Sequence, residues 1–404
     1  MRRDVDVTLD LGPETVDLYE CDGEVTPIRD FVTANLDILA GHEADIVLAN
    51  IGALPGPGDI PEGFRSCLTR SRELAVGSIP VFSALRSGAR SAFVPEKHLQ
   101  LKGCRPVLDG KEFPAEILPF GDRKIIRGRI PFGVMTVEAI IREVLGYCFM
   151  QKHDLPTQAI PLAATTFHHA GNAVGYGMLL RLRSEDRVES HVEDPHCTIH
   201  DVIAAQTGGI SRRPELVVGS ELSLKGLNLW KYVEAKGRIL AAMNCRGGFR
   251  GILNSNIGND VLVPSNDNTQ ELALADLDTF FVVPIAHDPT PEFIDSFVLQ
   301  CLVEVAVGSL PIVQYVELPD GCPHGLRADA LGAVYFTKSS LWRSYSRYLL
   351  TEAAALGWSV ATVVDSIERM RRTEAFADIL GSRILSGESV KRAENERLFH
   401  YFHN

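Results

Sequence analysis

Residues 250–281 read RGILNSNIGNDVLV (250–263), PSNDNTQE (264–271) and LALADLDTFF (272–281), and the fold assignment turns on them. The stretch parses as a polar loop with three asparagines (Asn254, Asn256, Asn259), a hairpin, and a short apolar run ending in Asp276-Leu277-Asp278. Strand, Asn-rich loop, strand and acidic strand end is one order in which an Asn and an Asp hold the metal ions that neutralise a triphosphate. Asparagine loops and strand-end aspartates are also ordinary turn chemistry. The rest of the chain has to decide between these readings.

Its 404 residues suit two or three domains of roughly 150 residues, or one large bilobal unit. With 45% hydrophobic and 23% charged residues the chain can bury a sizeable core. A net charge of −12 speaks against nucleic acid as the main partner, because a phosphate backbone demands a basic footprint. The eight cysteines are scattered with no CxxC pair, the usage of a reduced intracellular protein. MRRDVDVTLDLG has two arginines but no apolar h-region, so no secretory signal is expected. No apolar run approaches the ~18 residues of a membrane span. A cytoplasmic protein without membrane partners is the expectation.

Upstream, DFVTANLDILAGHEADIVLANIGAL suggests a helix and then a buried strand, and GALPGPGDIPEG interrupts regular structure with Gly and Pro. Residues 1–78 read as an N-terminal extension with no functional signal. From 79 the pattern turns to short β runs, IPVFSAL, RSGARSAFV and HLQLKG, separated by glycine-bearing turns. Lys102 ends the last of these beside Gly103; a strand lysine can pair with nucleotide phosphates or simply face water. PFGVMTVEAIIREVLGYCFMQKHDLPTQ carries the clearest helix, with Val137, Ile140, Ile141, Val144, Leu145 and Phe149 at i, i+3, i+4 spacing. Glu143 sits mid-helix, either solvated or paired with a strand lysine.

QAIPLAATTFHH and NAVGYGMLLRLRSEDRVE follow as two strands, the second ending in Arg181, Arg183 and Arg187. Alternation puts Arg181 and Arg183 on one face, where they could fork around phosphate or form a salt-bridge ladder. The histidines from 168 to 200 fit no closed tetrahedral pattern with cysteine. LNLWKYVEAKGRILAAMNCRGG, TPEFIDSFVLQCLVEVAVGSL and SSLWRSYSRYLLTEAAALGWSVATVVDSIERM are helical, which makes the last third α-rich.

Glycine turn, strand Lys102, helix Glu143, arginine strand, long helix, Asn loop and Asp276 follow the order of parts in a protein-kinase-like fold. The wording HLQLKG, IIREVLGYCFMQKHDLPTQAIPLAATT, GYGMLLRLRSEDRVESHVE, GILNSN and LADLDTF resembles the selenoprotein O family of protein adenylyltransferases over roughly residues 80–285. That family reads approximately LQLKG, a GDGR turn, an SIREF helix ending in GIPTTRAL, an LLRV strand, HGVLNTDN and IDYGPF. The resemblance implies an α+β, bilobal kinase-like fold: a β-rich N-lobe over 79–190 and a helical C-lobe with the metal and catalytic loop over 191–404. It implies ATP with Mg²⁺ or Mn²⁺ as cofactors, and AMP transfer to an acceptor, a protein hydroxyl or a small-molecule carboxylate. Lys102 and Glu143 become the nucleotide-holding ion pair, Gly133 the second glycine of the GDGR-type turn, and Arg181 and Arg187 the phosphate arginines. Asp276 becomes the metal-binding aspartate, with Asn254 and Asn256 in the loop that supplies a further ligand.

The chain departs from that pattern at several places. Phe132 and Val134 replace the Asp and Arg of the turn, Arg250 the His of HGVLNTDN, and Asn256 its presumed base. Asparagine cannot accept a proton as a carboxylate does. Asn259 is then a rival metal ligand, Asp260 a rival acid/base group, and Asp278 a rival for either role. The last residues, HYFHN, lack the family's C-terminal selenocysteine or cysteine segment. An already anionic acceptor needs no deprotonation, so an asparagine at 256 in place of the carboxylate base suits acyl-adenylate formation. A kinase-type phosphotransferase using Asp260, and a nucleotide-binding scaffold without turnover, stand beside it.

Overall fold

The computed structural model describes residues 20–61, 85–87, 91–94, 98–103, 113–114, 127–128, 135–169, 172–184, 186–187, 217–218, 221–224, 227–251, 259–264, 270–314 and 340–373. They form a mixed α+β protein built mainly of antiparallel strands and helices. The chain divides into two units. The first comprises residues 1–116, 124–185 and 275–281, and the second 117–123, 186–274 and 282–404.

In the first unit, strand β1 (Glu20–Pro27) leads into helix α1 (Ile28–Thr33), and helix α2 (Gly41–Asn50) follows. Strands β2 (Leu85–Ser87), β3 (Ser91–Val94) and β4 (Leu99–Lys102) come next. Helix α3 (Val137–Lys152) precedes the two long strands β5 (Ala159–His169) and β6 (Asn172–Leu182). The sheet runs β1-β5-β6-β4-β3-β2, every neighbouring pair antiparallel. Pro161 has no N–H for a ladder and sits where the β5–β6 register shifts, between Pro161 and Ala163, as strand prolines do.

The β runs read from RSGARSAFV onward correspond to β3 to β6, residues 79–84 of the run IPVFSAL lie outside the described residues, and the i, i+3, i+4 stripe placed α3, whose Ile140, Ile141, Val144, Leu145 and Phe149 are all fully buried. Residues 41–50 differ from expectation: the run expected as a buried strand is α2. Glu43 explains the change, since its Oε2 accepts from the N–H of Ala40 at 3.2 Å and starts a helix. Only every third or fourth side chain then points inward, as for Glu43, Ile46 and Val47. Of the residues read as an extension, the described ones (20–61) join the first unit, where β1 pairs with β5 and α2 packs on α3.

The second unit opens with β7 (Asp186–Arg187) and contains the long helix α4 (Leu229–Cys245). The hairpin read from residues 250–281 is present as β8 (Asp260–Pro264) and β9 (Gln270–Leu274), with β7 on the other side of β8. Helices α5 (Pro291–Gln314), α6 (Ser340–Ala355) and α7 (Val360–Met370) complete it. Gly237 lets α6 close on α4: a Cβ there would lie 2.5 Å from the Oγ of Ser344. Among the described residues no helix is long and apolar enough to cross a membrane.

Candidate metal and nucleotide site

Lys102 is the last residue of β4, and Gly103 lets the strand stop there. Its φ of +78° suits glycine, and a Cβ would lie 2.8 Å from both the Met135 side chain and the Tyr176 carbonyl. Met135 and Tyr176 exchange backbone hydrogen bonds of 2.7 and 2.9 Å, fixing the approach to α3. The N-cap Thr136 accepts from the N–H of Ala139 at 3.0 Å and starts that helix. Glu143 lies two turns in, buried rather than solvated, and its Oε2 is 2.7 Å from the Lys102 Nζ.

The segment 275–281 returns to the same place. Lys102 Nζ contacts Asp276 Oδ1 and lies 3.2 Å from Asp278 Oδ2. One oxygen from each of Glu143, Asp276 and Asp278 lies within 4.8 Å of the others. Between the two aspartates, Leu277 sits directly against Gly146, one turn beyond Glu143: a Cβ on Gly146 would be 2.7 Å from the Leu277 Cβ and 3.2 Å from Phe280. Phe280 also packs on Phe149, ring centroids 5.1 Å apart. Asp276 has φ +59°, an uncommon conformation for a residue with a side chain and one that clusters at functional sites.

Among the described residues, the Lys102 ammonium faces all three carboxylates. Like charges at that spacing repel by roughly 3 kcal/mol per pair at an effective dielectric of about 20. Burial is the strongest influence on Glu143 and pushes its carboxyl up; Lys102 opposes that, while Asp278 and Asp276 reinforce it, and the net shift is upward. The donors are all hard carboxylate oxygens, a set that suits hard cations such as Mg²⁺, Ca²⁺ or Mn²⁺.

Of the other residues singled out in the sequence, Arg181 is in the same sheet as Lys102. In the β4–β6 register Lys102 pairs with Met178 and Leu99 with Arg181. Paired residues share a face and successive residues alternate, so Arg181 lies on the face opposite Lys102. Its Nη2 donates to the carbonyl of Asp59 at 3.0 Å, and it is not brought to the cluster. Arg187 lies on β7, paired with Val261 in the second unit. Gly133, Asn254 and Asn256 lie outside the described residues.

Asp260 is placed in the second unit, fully buried in an ionic network of its own. Its Oδ2 accepts from Tyr232 Oη at 2.6 Å and Lys236 Nζ at 2.7 Å, and its Oδ1 from Arg250 Nη1 at 2.8 Å. Burial alone would raise this carboxyl; Lys236 and Arg250 outweigh it and hold it below the ordinary range. A carboxylate held ionised this way is a poor proton acceptor, contrary to the acid/base role expected of it. Arg250 also donates through Nη2 to the backbone carbonyl of Asn259, and its N–H donates to Glu304 Oε1 at 2.7 Å. Glu304 Oε2 accepts from Asn244 at 2.7 Å, and Asn244 Oδ1 from Tyr345 Oη at 2.8 Å. Among the described residues, Lys236, Arg250, Asp260 and Glu304 share one buried network.

Sequence reasoning missed Arg142 and Gly146. The only signal at Gly146 was a glycine inside a strong helix pattern. No protein-family model, curated protein or solved structure matched the chain when compared with it.

Proposed function

We propose that this chain is an ATP- and Mg²⁺-dependent nucleotidyltransferase of protein-kinase-like fold, transferring AMP to a protein hydroxyl or a small-molecule carboxylate. The observation that carries the reading is Lys102 Nζ held by Glu143 from a helix while touching Asp276 from a segment some 170 positions later. A strand lysine, a helix glutamate and a returning aspartate, in that chain order, are the parts that position nucleotide phosphates and their metal ion. The sheet-bearing first unit and the mainly helical second unit support the same reading. Within it, Asp276 and Asp278 hold the cation, Glu143 orients Lys102, and Lys102 meets a phosphate oxygen. The bound metal supplies charge neutralisation at the phosphates. Positioning and electrostatics carry most of such a transfer.

Thermal-shift titration with Mg-ATP, followed by product analysis with α-phosphate-labelled ATP, tests this. A stabilising shift with release of pyrophosphate and labelled acceptor is expected, and Asp276→Ala abolishes it. Release of ADP would instead assign a kinase-type phosphotransferase, and no shift at all a scaffold. An unchanged rate in Asp276→Ala would remove the site assignment.

A further inference from the structure

Helix α2 had no functional reading in the sequence, yet it carries one of the most deeply buried carboxylates in the first unit. Glu43 is 0% exposed and faces Arg142, itself only 1% exposed, with Glu43 Oε1 3.6 Å from Arg142 Nη1. The same Nη1 donates to the carbonyl of Phe280 at 3.1 Å. Nε and Nη2 donate to Glu138 Oε1 at 3.2 and 3.1 Å, closing a turn of α3. Arg142 is adjacent in sequence to Glu143, so one helix turn grips Lys102 through its glutamate and the 275–281 segment through its arginine.

We propose that Arg142, held by Glu43, is a positioning residue that sets Asp276 and Asp278 against Lys102 and Glu143, so that α2 controls the geometry of the acidic cluster. The physical reasons are three. Glu43 is a fully buried carboxylate facing the Arg142 guanidinium, and removing one charge of such a buried pair is costly, so the two act as a pair. The rigid fork reaches Glu138, Glu43 and a backbone carbonyl at once, which lysine cannot reproduce. The Phe280 carbonyl belongs to the turn whose Phe280 N–H donates to the Leu277 carbonyl at 2.9 Å, so releasing it loosens the residue between the two aspartates. Groups that orient metal ligands from behind typically change metal affinity ~10- to 100-fold when removed.

The metal half of this inference rests on the Mg²⁺ reading above; the positioning half does not. The test is Arg142→Lys in the full chain, read by hydrogen exchange of the 275–281 peptide without metal and by Mn²⁺ titration. Exchange at 275–281 should accelerate on the order of tenfold relative to β5 and β6, and the Mn²⁺ Kd should rise about tenfold. Glu43→Gln, which keeps an oxygen for Ala40 but removes the charge, should give a smaller change in the same direction and covers the case where Arg142→Lys does not fold. A general stability role would speed exchange evenly over the unit. Unchanged exchange at 275–281 in a folded variant overturns the proposal. Faster exchange there, in a protein whose wild type binds no Mn²⁺, upholds the positioning role and overturns the metal reading alone.

Discussion

Gly146→Ala places one methyl group where α3 meets the acidic segment, and its cost can be worked from contacts. The new Cβ would stand 2.7 Å from the Leu277 Cβ, 2.9 Å from its Cδ1 and 3.2 Å from the Phe280 ring. Comfortable carbon–carbon separation is about 3.5–4.0 Å, so Leu277 must retreat by roughly 1 Å. Two effects oppose each other. Alanine is favoured over glycine inside a helix by about 1 kcal/mol. Overpacking a tight core contact costs about 1–3 kcal/mol, more still where the obstacle is a Cβ tied to its backbone. Overpacking wins, for a net loss of up to ~2 kcal/mol. Asp276 and Asp278 flank Leu277, so they move with it, and a ligand set tolerates displacements of only about 0.5 Å. Mn²⁺ affinity should therefore fall about tenfold or more. Urea denaturation gives the first quantity and Mn²⁺ titration the second. A variant more stable than wild type, with unchanged Mn²⁺ affinity, would refute the packing argument and the link from α3 to the aspartates.

Three further outcomes concern the cores of the units. Asp260→Asn strips Lys236 and Arg250 of their shared carboxylate inside the second unit and should cost about 3–5 kcal/mol in urea denaturation; a loss under ~1 kcal/mol would contradict the network. The pH dependence follows from the same group. Its carboxyl is held below the ordinary value of 3.8, so the unfolded chain binds the proton more readily and the stabilisation is present above that value. It is lost as pH falls below 3.8 through the folded-state value, and Asp260→Asn should flatten that part of the acid-unfolding curve. Burial pushes the thiols of Cys148 and Cys245 up to about 12 and that of Cys301 well above its usual value. At pH 8 a thiol reagent followed by peptide mapping should leave all three unlabelled in the native protein and label them on unfolding; rapid native labelling would contradict their burial.

Periodicity within a segment is a local property, and what depends on it was legible. The stripe from Ile140 to Phe149 specified α3, the alternation of Leu99 to Lys102 with Gly103 specified β4 and its end, and the turn-rich residues after Pro264 specified the β8–β9 hairpin. The order of parts singled out Lys102, Glu143 and Asp276 before any distance was known. At residues 41–50 local reading failed, because a run as apolar as IVLANI serves strand or helix and one capping carboxylate, Glu43, decided between them.

Everything that required two distant segments to meet was decided by tertiary structure. Alternation in the sequence puts Arg181 and Arg183 on one face, but β6 ends at Leu182, and only the pairing of Leu99 with Arg181 shows that the face of Arg181 is not that of Lys102. Asp260 and Asp278 look alike in sequence; one is locked between Lys236 and Arg250, the other stands beside Lys102. Nothing in its own stretch marks Arg142, whose contacts with Glu43 and the Phe280 carbonyl come from distant segments. Sequence by itself determined which chemical groups the protein has and which local elements carry them. The tertiary structure decided which charges are buried, and beside what, because burial and pairing come from contacts between segments that no local pattern encodes.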